Sequence, residues 1–306
     1  MPELPEVETV VRSLRRHLPR GGRRARLERA ELRFPGMLKF GKQYWPRLDG
    51  CEITDVGRAG KYIWIACRSP AGPRGAPATV WRLLLHLGMS GQLTIEPAAA
   101  ALAAHTHAIF HLAGARQLRF RDPRRFGRIG VVPAAADSGG AANRHAGAMD
   151  AGSIPAALSP EEERQLGIPP GGEPLEIGEA EFVKLFRGRQ APIKNALMNQ
   201  RLLRGLGNIY ADESLFRAGI APRAHDLSAP RLRRLRLAIR QVLEEAIRAG
   251  GSSISDYVDS GGKRGWFQFQ HRVYGREGQP CPQCGAPIRR ITLAGRSAHF
   301  CPHCQT

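Results

Sequence analysis

Residues 281–304 read Cys281-Pro-Gln-Cys284-Gly-Ala-Pro-Ile-Arg-Arg-Ile-Thr-Leu-Ala-Gly-Arg296-Ser-Ala-His-Phe-Cys301-Pro-His-Cys304. Two Cys-x-x-Cys pairs separated by sixteen residues form the two turns of a zinc ribbon and set four sulfurs tetrahedrally around one Zn²⁺. Cys281, Cys284, Cys301 and Cys304 fill every coordination position, so no water is left on the ion to activate. One structural zinc is therefore expected, holding a ribbon too short to bury a core of its own. From His271 onward Arg272, Arg276, Arg289, Arg290 and Arg296 stand against a single acid, Glu277. A metal-held hairpin with a basic tip suits a nucleic-acid reader, and a merely solvated face needs no such one-sided charge.

The whole chain carries the same bias. Its 306 residues are enough for about two ordinary domains. Lys and Arg number 46 against 27 Asp and Glu, a formal charge of +19, and 42% of the residues are hydrophobic. A core can form, which excludes a disordered basic tail, and the charge favours nucleic acid first and an anionic membrane second. The best candidate for a long apolar run, Val80 to Leu87, is short and broken by Arg82, so no membrane-spanning helix is expected. The opening Met1-Pro2-Glu3-Leu4-Pro5-Glu6-Val7-Glu8 lacks the basic and apolar regions of an export signal. Six cysteines, four of them in the last 26 positions, fit a reducing compartment and a metal site, and the protein is expected in the cytoplasm. Cys51 and Cys67 read as small buried hydrophobes.

Val7, Val10, Val11, Leu14 and Leu18 recur at helical spacing after Pro5, and Pro19-Arg20-Gly21-Gly22 stops the helix. From about Cys51 to Val132 short β-rich runs appear, among them 61–65, 81–87, 92–95, 108–112 and 117–120, which predicts a sandwich or barrel behind one leading helix. Ala134 to Ser153, rich in Ala and Gly, reads as a linker or surface insertion, and Ser69 to Ala78 as a smaller loop. Helices are predicted over Glu179 to Phe186, Ile193 to Leu203, Ile209 to Ala218 and Ser228 to Ala249. The last has one face of Leu232, Leu235, Ile239, Val242 and Ala246 and a stop at Gly250-Gly251.

Three further motifs carry chemistry. Pro2, once Met1 is removed, offers a secondary amine whose pKa near 8 leaves a nucleophilic fraction at neutrality, with Glu3 and Glu6 close by to shuttle protons. A Pro-Glu start also serves simply as a helix entry. Lys194 and Gly205-Leu-Gly-Asn208-Ile-Tyr lie between helical segments, where glycines let backbone approach a phosphate at a helix N-terminus and Asn208 can donate; a tight helix–helix connection needs the same residues. Arg121-Asp-Pro-Arg124-Arg-Phe126-Gly is a turn showing two guanidinium groups and a ring, either a wedge for a base stack or a charged turn with Phe126 in the core.

In this order, Met1-Pro-Glu-Leu-Pro-Glu-Val-Glu, His86-Leu-Gly-Met-Ser-Gly, Asp122-Pro-Arg-Arg-Phe-Gly, Gly205-Leu-Gly-Asn-Ile-Tyr-Ala-Asp-Glu-Ser-Leu-Phe, Val273-Tyr-Gly-Arg and the cysteine ribbon resemble the bacterial formamidopyrimidine-DNA glycosylase family from residue 2 to 304. Leu4 points away from the endonuclease VIII-like relatives, which open Pro-Glu-Gly-Pro. The resemblance implies a helix–two-turn–helix domain, excision of oxidised purines such as 8-oxoguanine opposite cytosine, and cleavage of the abasic strand. It implies Pro2 as nucleophile, Glu3 as its acid partner with Glu6 assisting, Lys61 as proton donor for β-elimination and Arg296 for δ-elimination. It sets Met89, Arg124 and Phe126 in the hole left by a flipped base, and His105, Asn208 and Tyr274 against the DNA backbone. Gln190 stands, beside Arg189, at a DNA-contacting position usually Lys or Arg, and Tyr257 to Gly265 lies where the family's base-recognition loop sits. The family's His-Asp-His is His105-Thr106-His107 here, and its Gly-Pro-Glu-Pro-Leu is expanded to Gly167-Ile-Pro-Pro-Gly-Gly-Glu173-Pro-Leu.

The expected fold is thus α+β and multidomain: an N-terminal helix and β-sandwich over 1–135, a linker or insertion over 136–177, a helix–two-turn–helix domain with the base-recognition loop over 178–270, and a four-cysteine zinc ribbon over 271–306. The expected partner is damaged double-stranded DNA, met by a monomer in the nucleoid. Two rivals stand beside this reading. A zinc-ribbon binder without catalysis leaves Pro2, Glu3, Lys61 and Arg296 unexplained, and an endonuclease VIII-like enzyme preferring oxidised pyrimidines differs only in substrate.

Overall fold

The computed structural model describes residues 1–18, 24–70, 78–134, 157–253 and 257–306. Two compact units divide the chain. One comprises Met1–Pro2, Val7–Ile168 and Ser255–Lys263, the other Glu3–Glu6, Pro169–Ile254 and Arg264–Thr306. The expected boundaries cut the chain differently. The cysteine-rich end belongs with the helices, the Ser255–Lys263 segment with the sandwich, and the four residues Glu3–Glu6 with the helical unit.

The first unit is built on α1 (Leu4–His17) and nine strands: β1 (Leu27–Leu32), β2 (Leu38–Phe40), β3 (Glu52–Ala59), β4 (Tyr62–Arg68), β5 (Val80–His86), β6 (Gln92–Pro97), β7 (Thr106–Leu112), β8 (Arg116–Arg121) and β9 (Arg128–Pro133). They form a four-stranded sheet in the order β1-β7-β8-β6 and a five-stranded sheet in the order β2-β9-β5-β4-β3. Every pairing is antiparallel except β2 with β9. Inward residues of both sheets, such as Phe110, Leu118 and Phe120 against Ile63, Leu83 and Ile129, share one core with Val7, Val10, Val11 and Leu14 of α1. The strand region begins at Leu27, earlier than the expected Cys51, because β1 and β2 carry Glu, Arg and Lys among their apolar residues and show no clean alternation.

β4 reads Tyr-Ile-Trp-Ile-Ala-Cys-Arg, nearly all apolar, because both its faces are covered. Ile63, Ile65 and Cys67 enter the sandwich core, while Trp64 and Ala66 meet Leu84, Val132, Leu158 and Leu166 on the outer face. α2 (Pro160–Gln165) is held there by a Ser159–Glu162 capping box and by Arg82 Nε donating to Glu162 Oε1 at 3.1 Å, both side chains fully buried and the guanidinium 4.7 Å from the Trp64 ring. Ala134 N donates to Val80 O at 2.7 Å, fixing the end of β9. The expected stop at Pro19–Gly22, nearly all of Ala134–Ser153 and the centre of Ser69–Ala78 lie outside the described residues.

The second unit holds α3 (Glu179–Phe186), α4 (Ile193–Met198), α5 (Asn208–Ala218) and α6 (Ala229–Arg248), followed by β10 (Arg289–Leu293) and β11 (Arg296–Phe300). α4 is shorter than the expected Ile193–Leu203. Asn199 caps it, its Oδ1 accepts Arg201 N at 3.0 Å, and two successive turns over 199–207 lead to α5. The stripe Leu232, Leu235, Ile239, Val242 and Ala246 is buried as expected, and Gly250 and Gly251 end α6 at positive φ. The ribbon borrows its core from α5: Phe216 packs with Val273, Ile288, Cys281 and Cys301.

Candidate functional site

In the helical unit the first turn of α1 meets the start of α5. Glu3 Oε1 accepts Ile209 N at 3.0 Å, and Glu3 Oε2 accepts Gly207 N at 2.7 Å and Tyr210 N at 3.4 Å. The carboxylate thus takes the orphan donors at the positive end of the helix. The glycines expected to admit a phosphate admit Glu3 instead. A Cβ on Gly207 would stand 2.4 Å from the Glu3 carboxyl carbon, and one on Gly205, at φ +99, would strike Leu4.

Glu6 lies wholly buried beside it. Its Oε1 accepts the Tyr210 hydroxyl at 2.5 Å and Ser252 N at 2.7 Å, and its Oε2 accepts Glu3 N at 2.8 Å. Burial first, then the charge of Glu3, pushes this carboxyl up to about 7 against those three donors. Ser252 Oγ lies 3.2 Å from the Tyr210 oxygen and 3.1 Å from His271 Nε2. Burial lowers His271 to about 4, so its ring is neutral at physiological pH. Pro2, also buried, directly precedes Glu3 in the chain.

A second polar cluster sits on the same unit. Lys194, expected to face DNA, is fully buried. Its Nζ lies 2.6 Å from Asp212 Oδ1 and donates to Ser297 O at 2.5 Å, while burial lowers its pKa against the pull of Asp212. It ties α4 to α5 and β11. Asp212 Oδ2 also accepts His299 N at 2.9 Å. Asn208 Nδ2 donates to Ser297 Oγ at 3.3 Å, and the Tyr274 phenol, raised chiefly by burial, is hydrogen-bonded to Asn208. The Tyr274 backbone is fixed by its N donating to Glu213 Oε1 at 2.9 Å. Arg296 is exposed where Ala294 and Gly295, at φ +48 and +75, make a two-residue hairpin between β10 and β11. Gln190 is exposed.

The four ribbon sulfurs all lie within 4.8 Å of one another, with Cys281 and Cys304 at 3.8 Å and Cys284 and Cys301 at 3.5 Å. Tetrahedral ligands about 2.3 Å from zinc stand about 3.8 Å apart, so the four cysteines fit one structural zinc.

The sandwich unit carries the remaining candidates. Lys61 occupies the tight turn between β3 and β4, mostly buried, and its charge together with burial and Arg128 lowers His86 to about 4, burial contributing most. Met89 and Phe126 are 40% and 54% exposed, which resolves Phe126 as a surface ring with the Arg124 guanidinium 5.3 Å from its centroid. Their loops form one body. Asp122, fully buried, accepts Ser90 Oγ at 2.6 Å and Gly127 N at 2.7 Å, and His107 Nε2 lies 2.8 Å from its carbonyl. Gly88, at φ +63, lets the first loop reach Phe126, since a Cβ there would stand 2.5 Å from the Phe126 carbonyl carbon. His105 is exposed at φ +64 and its carbonyl accepts Asp122 N at 3.0 Å. Of Tyr257–Gly265, Ser260 is pinned by Oγ donating to Ser13 Oγ at 2.7 Å and by its carbonyl accepting Ile95 N at 2.8 Å.

Sequence reasoning did not assign Tyr210, Ser252, His271, Asp122, Ser90 or Ser13. Tyr210 and Asp122 stand inside quoted motifs; nothing local marks Ser252, which meets Glu6 across 246 residues, or His271, which meets Ser252.

Three family models match the chain: the formamidopyrimidine-DNA glycosylase N-terminal domain over residues 1–129, its H2TH domain over 167–258, and a zinc finger found in FPG and IleRS over 278–306. The formamidopyrimidine-DNA glycosylase of Gluconobacter oxydans is 42% identical over the whole of both chains. That of Solibacter usitatus is also 42% identical, over all of this chain and 99% of its own. A Lactococcus lactis Fpg point mutant in complex with Fapy-dG-containing DNA superposes with a TM-score of 0.80 at 31% identity, covering 99% of each chain. The Thermus thermophilus protein superposes with a TM-score of 0.76 at 36% identity, over 99% of this chain and 98% of its own.

Proposed function

The chain belongs to the formamidopyrimidine-DNA glycosylase family, a family of DNA-repair glycosylases, and from that premise we propose that it is a bifunctional DNA glycosylase and abasic-site lyase using Pro2 as its nucleophile. The substrate is an oxidised purine, 8-oxoguanine opposite cytosine or a formamidopyrimidine, in double-stranded DNA. The observation that carries this reading is the pair of buried glutamates that follow Pro2 in the chain, one accepting the donors of a helix start and the other raised to about 7.

With Met1 removed, the Pro2 nitrogen bonds to the sugar C1′ as the glycosidic bond breaks and the base leaves with a proton. The Glu3 carboxylate takes the proton lost from the Pro2 nitrogen and passes it to O4′ as C1′–O4′ opens, which leaves an iminium. That iminium has no N–H proton to lose and remains an electron sink for elimination. Glu6, half protonated near pH 7, holds a proton close to Glu3. Lys61 and Arg296 then donate in β- and δ-elimination. Met89, Arg124 and Phe126 fill the space of the extruded nucleotide, and His105, Asn208, Tyr274 and Gln190 meet the backbone. Lys194 acts through Asp212 and Ser297, on which the β11 end of the ribbon rests. The zinc, fully ligated, folds the ribbon and does no chemistry. The protein works as a monomer at the cytoplasmic nucleoid; among its described residues no helix is long and apolar enough to cross a membrane.

Borohydride trapping on a duplex with 8-oxoguanine opposite cytosine tests the reading. A covalent adduct mapped to the N-terminal peptide at Pro2 is expected. Normal excision by a chain verified to retain Met1, or an adduct on a lysine, would overturn it.

A further inference from the structure

Trp266 and Phe269 are 66% and 75% exposed, with ring centroids 5.7 Å apart and planes 36° from parallel. Large aromatic surface left in water on a fixed backbone calls for an occupant. This backbone is fixed. Trp266 N donates to Ala249 O at 2.9 Å and Phe267 N to Gly251 O at 3.0 Å, while Phe267 between the two exposed rings is itself buried. Gly265 N donates to Ser253 Oγ at 2.9 Å, and Gln268 links Ser253 N to Gly265 O with two further bonds of 2.9 Å. Gly265 lies so close to the end of α6 that a Cβ would stand 2.2 Å from Gly251 O. The two rings are therefore held out by the turn that carries them.

The charge around them selects the occupant. Residues 264–276 contain Arg264, Arg272 and Arg276 and no acid. Arg248, exposed in the last turn of α6, adjoins the Ala249 carbonyl that holds Trp266. Aromatic faces on a segment rich in arginine and free of acids suit a polyanion with open π-faces. Paired bases in a duplex keep their faces stacked and show only their edges, so the fitting ligand is an unpaired base of a DNA strand. We propose that Trp266 and Phe269 form a stacking platform for an unstacked nucleobase of single-stranded DNA, separate from the Met89–Arg124–Phe126 wedge.

The test uses the full-length zinc-loaded protein and an eight-residue oligodeoxythymidine. Trp45 and Trp64 are buried and Trp81 is half-buried, so Trp266 dominates the quenchable fluorescence. The oligonucleotide should quench that emission and shield it from acrylamide. Trp266→Ala and Phe269→Ala should each weaken its binding about 5- to 100-fold, the range of one lost base stack. Trp266→Tyr should restore affinity, and trapping on the 8-oxoguanine duplex should not change in any variant. Unchanged oligonucleotide affinity in both alanine variants would overturn the proposal. So would equal loss of duplex binding, quenching by anionic vesicles alone, or a dimer that Trp266→Ala dissociates. Absence of a trapped adduct in the unaltered protein would count against the assigned reaction and leave the oligonucleotide result standing.

Discussion

Glu3 in the helical unit and Asp122 in the sandwich unit are built alike and do opposite things. Each is a buried carboxylate that gathers nearby N–H and hydroxyl donors: Glu3 takes Gly207, Ile209 and Tyr210, and Asp122 takes Gly127 and Ser90. Around Asp122 the acid is scaffolding, and the exposed neighbours Arg124 and Phe126 are the proposed contacts. Around Glu3 the neighbours are scaffolding, and the acid is what they hold. A fixed carboxylate is a tool for positioning backbone, and function depends on which end of the hydrogen bonds is turned outward.

The sharpest way to break this comparison is Pro2→Gly. If the glutamate side exists to serve the amine, trapping should fall to background while duplex binding survives, read by borohydride adduct yield and gel shift. Glu3→Gln comes next. Excision of 8-oxoguanine should drop about 10²- to 10⁴-fold, the usual worth of a positioned acid. Cleavage of a preformed abasic site should drop less, because its glycosidic bond is already open. Equal losses on both substrates would make Glu3 scaffolding like Asp122.

Glu6 gives a stability test. Its carboxyl is raised to about 7 when folded, so between about pH 4.5 and 7 the folded state binds the extra proton and stability falls as pH rises, by up to about 3 kcal/mol. His86 and His271, lowered to about 4, act in the opposite sense, since the unfolded chain binds their protons below about 6.5. The readout is therefore the difference between the unaltered protein and Glu6→Gln in urea midpoints from pH 4.5 to 7.5. A constant difference would mean that Glu6 titrates normally. Asp122→Ala should cost about 1–3 kcal/mol of unfolding free energy, from the donors left without their acceptor. It should weaken lesion-duplex binding while leaving the trapping of bound substrate intact.

What the sequence disclosed follows the range of the forces involved. The cysteine ribbon, the α1 stripe and α6 repeat within a few residues and were legible from spacing. Phe126 has no local signal that decides between core and surface, and its ring lies on the surface. For Lys194, an expected DNA-facing residue, nothing local announces that Asp212 lies eighteen residues on and 2.6 Å away. Gly205 and Gly207 are sites of close approach, and the approaching groups are Leu4 and Glu3 from the other end of the chain. Exposure and charge pairing across long separations depend on the assembled fold, and no window of sequence contains them.

The buried Arg82–Glu162 pair has a consequence in polymer terms. It seats α2 against β5 next to Val132, while Ala134 is bonded to Val80, so the two ends of the 135–156 segment are fastened side by side independently of what joins them. A flexible linker grafted between fixed ends adds closure entropy only with the logarithm of its length, about 0.6 kcal/mol per doubling. A reporter domain grafted between Ala134 and Leu158 therefore adds little strain to the sandwich, provided Arg82 and Glu162 keep their grip. The same pair makes this junction a natural splice point for building chimaeras of the enzyme.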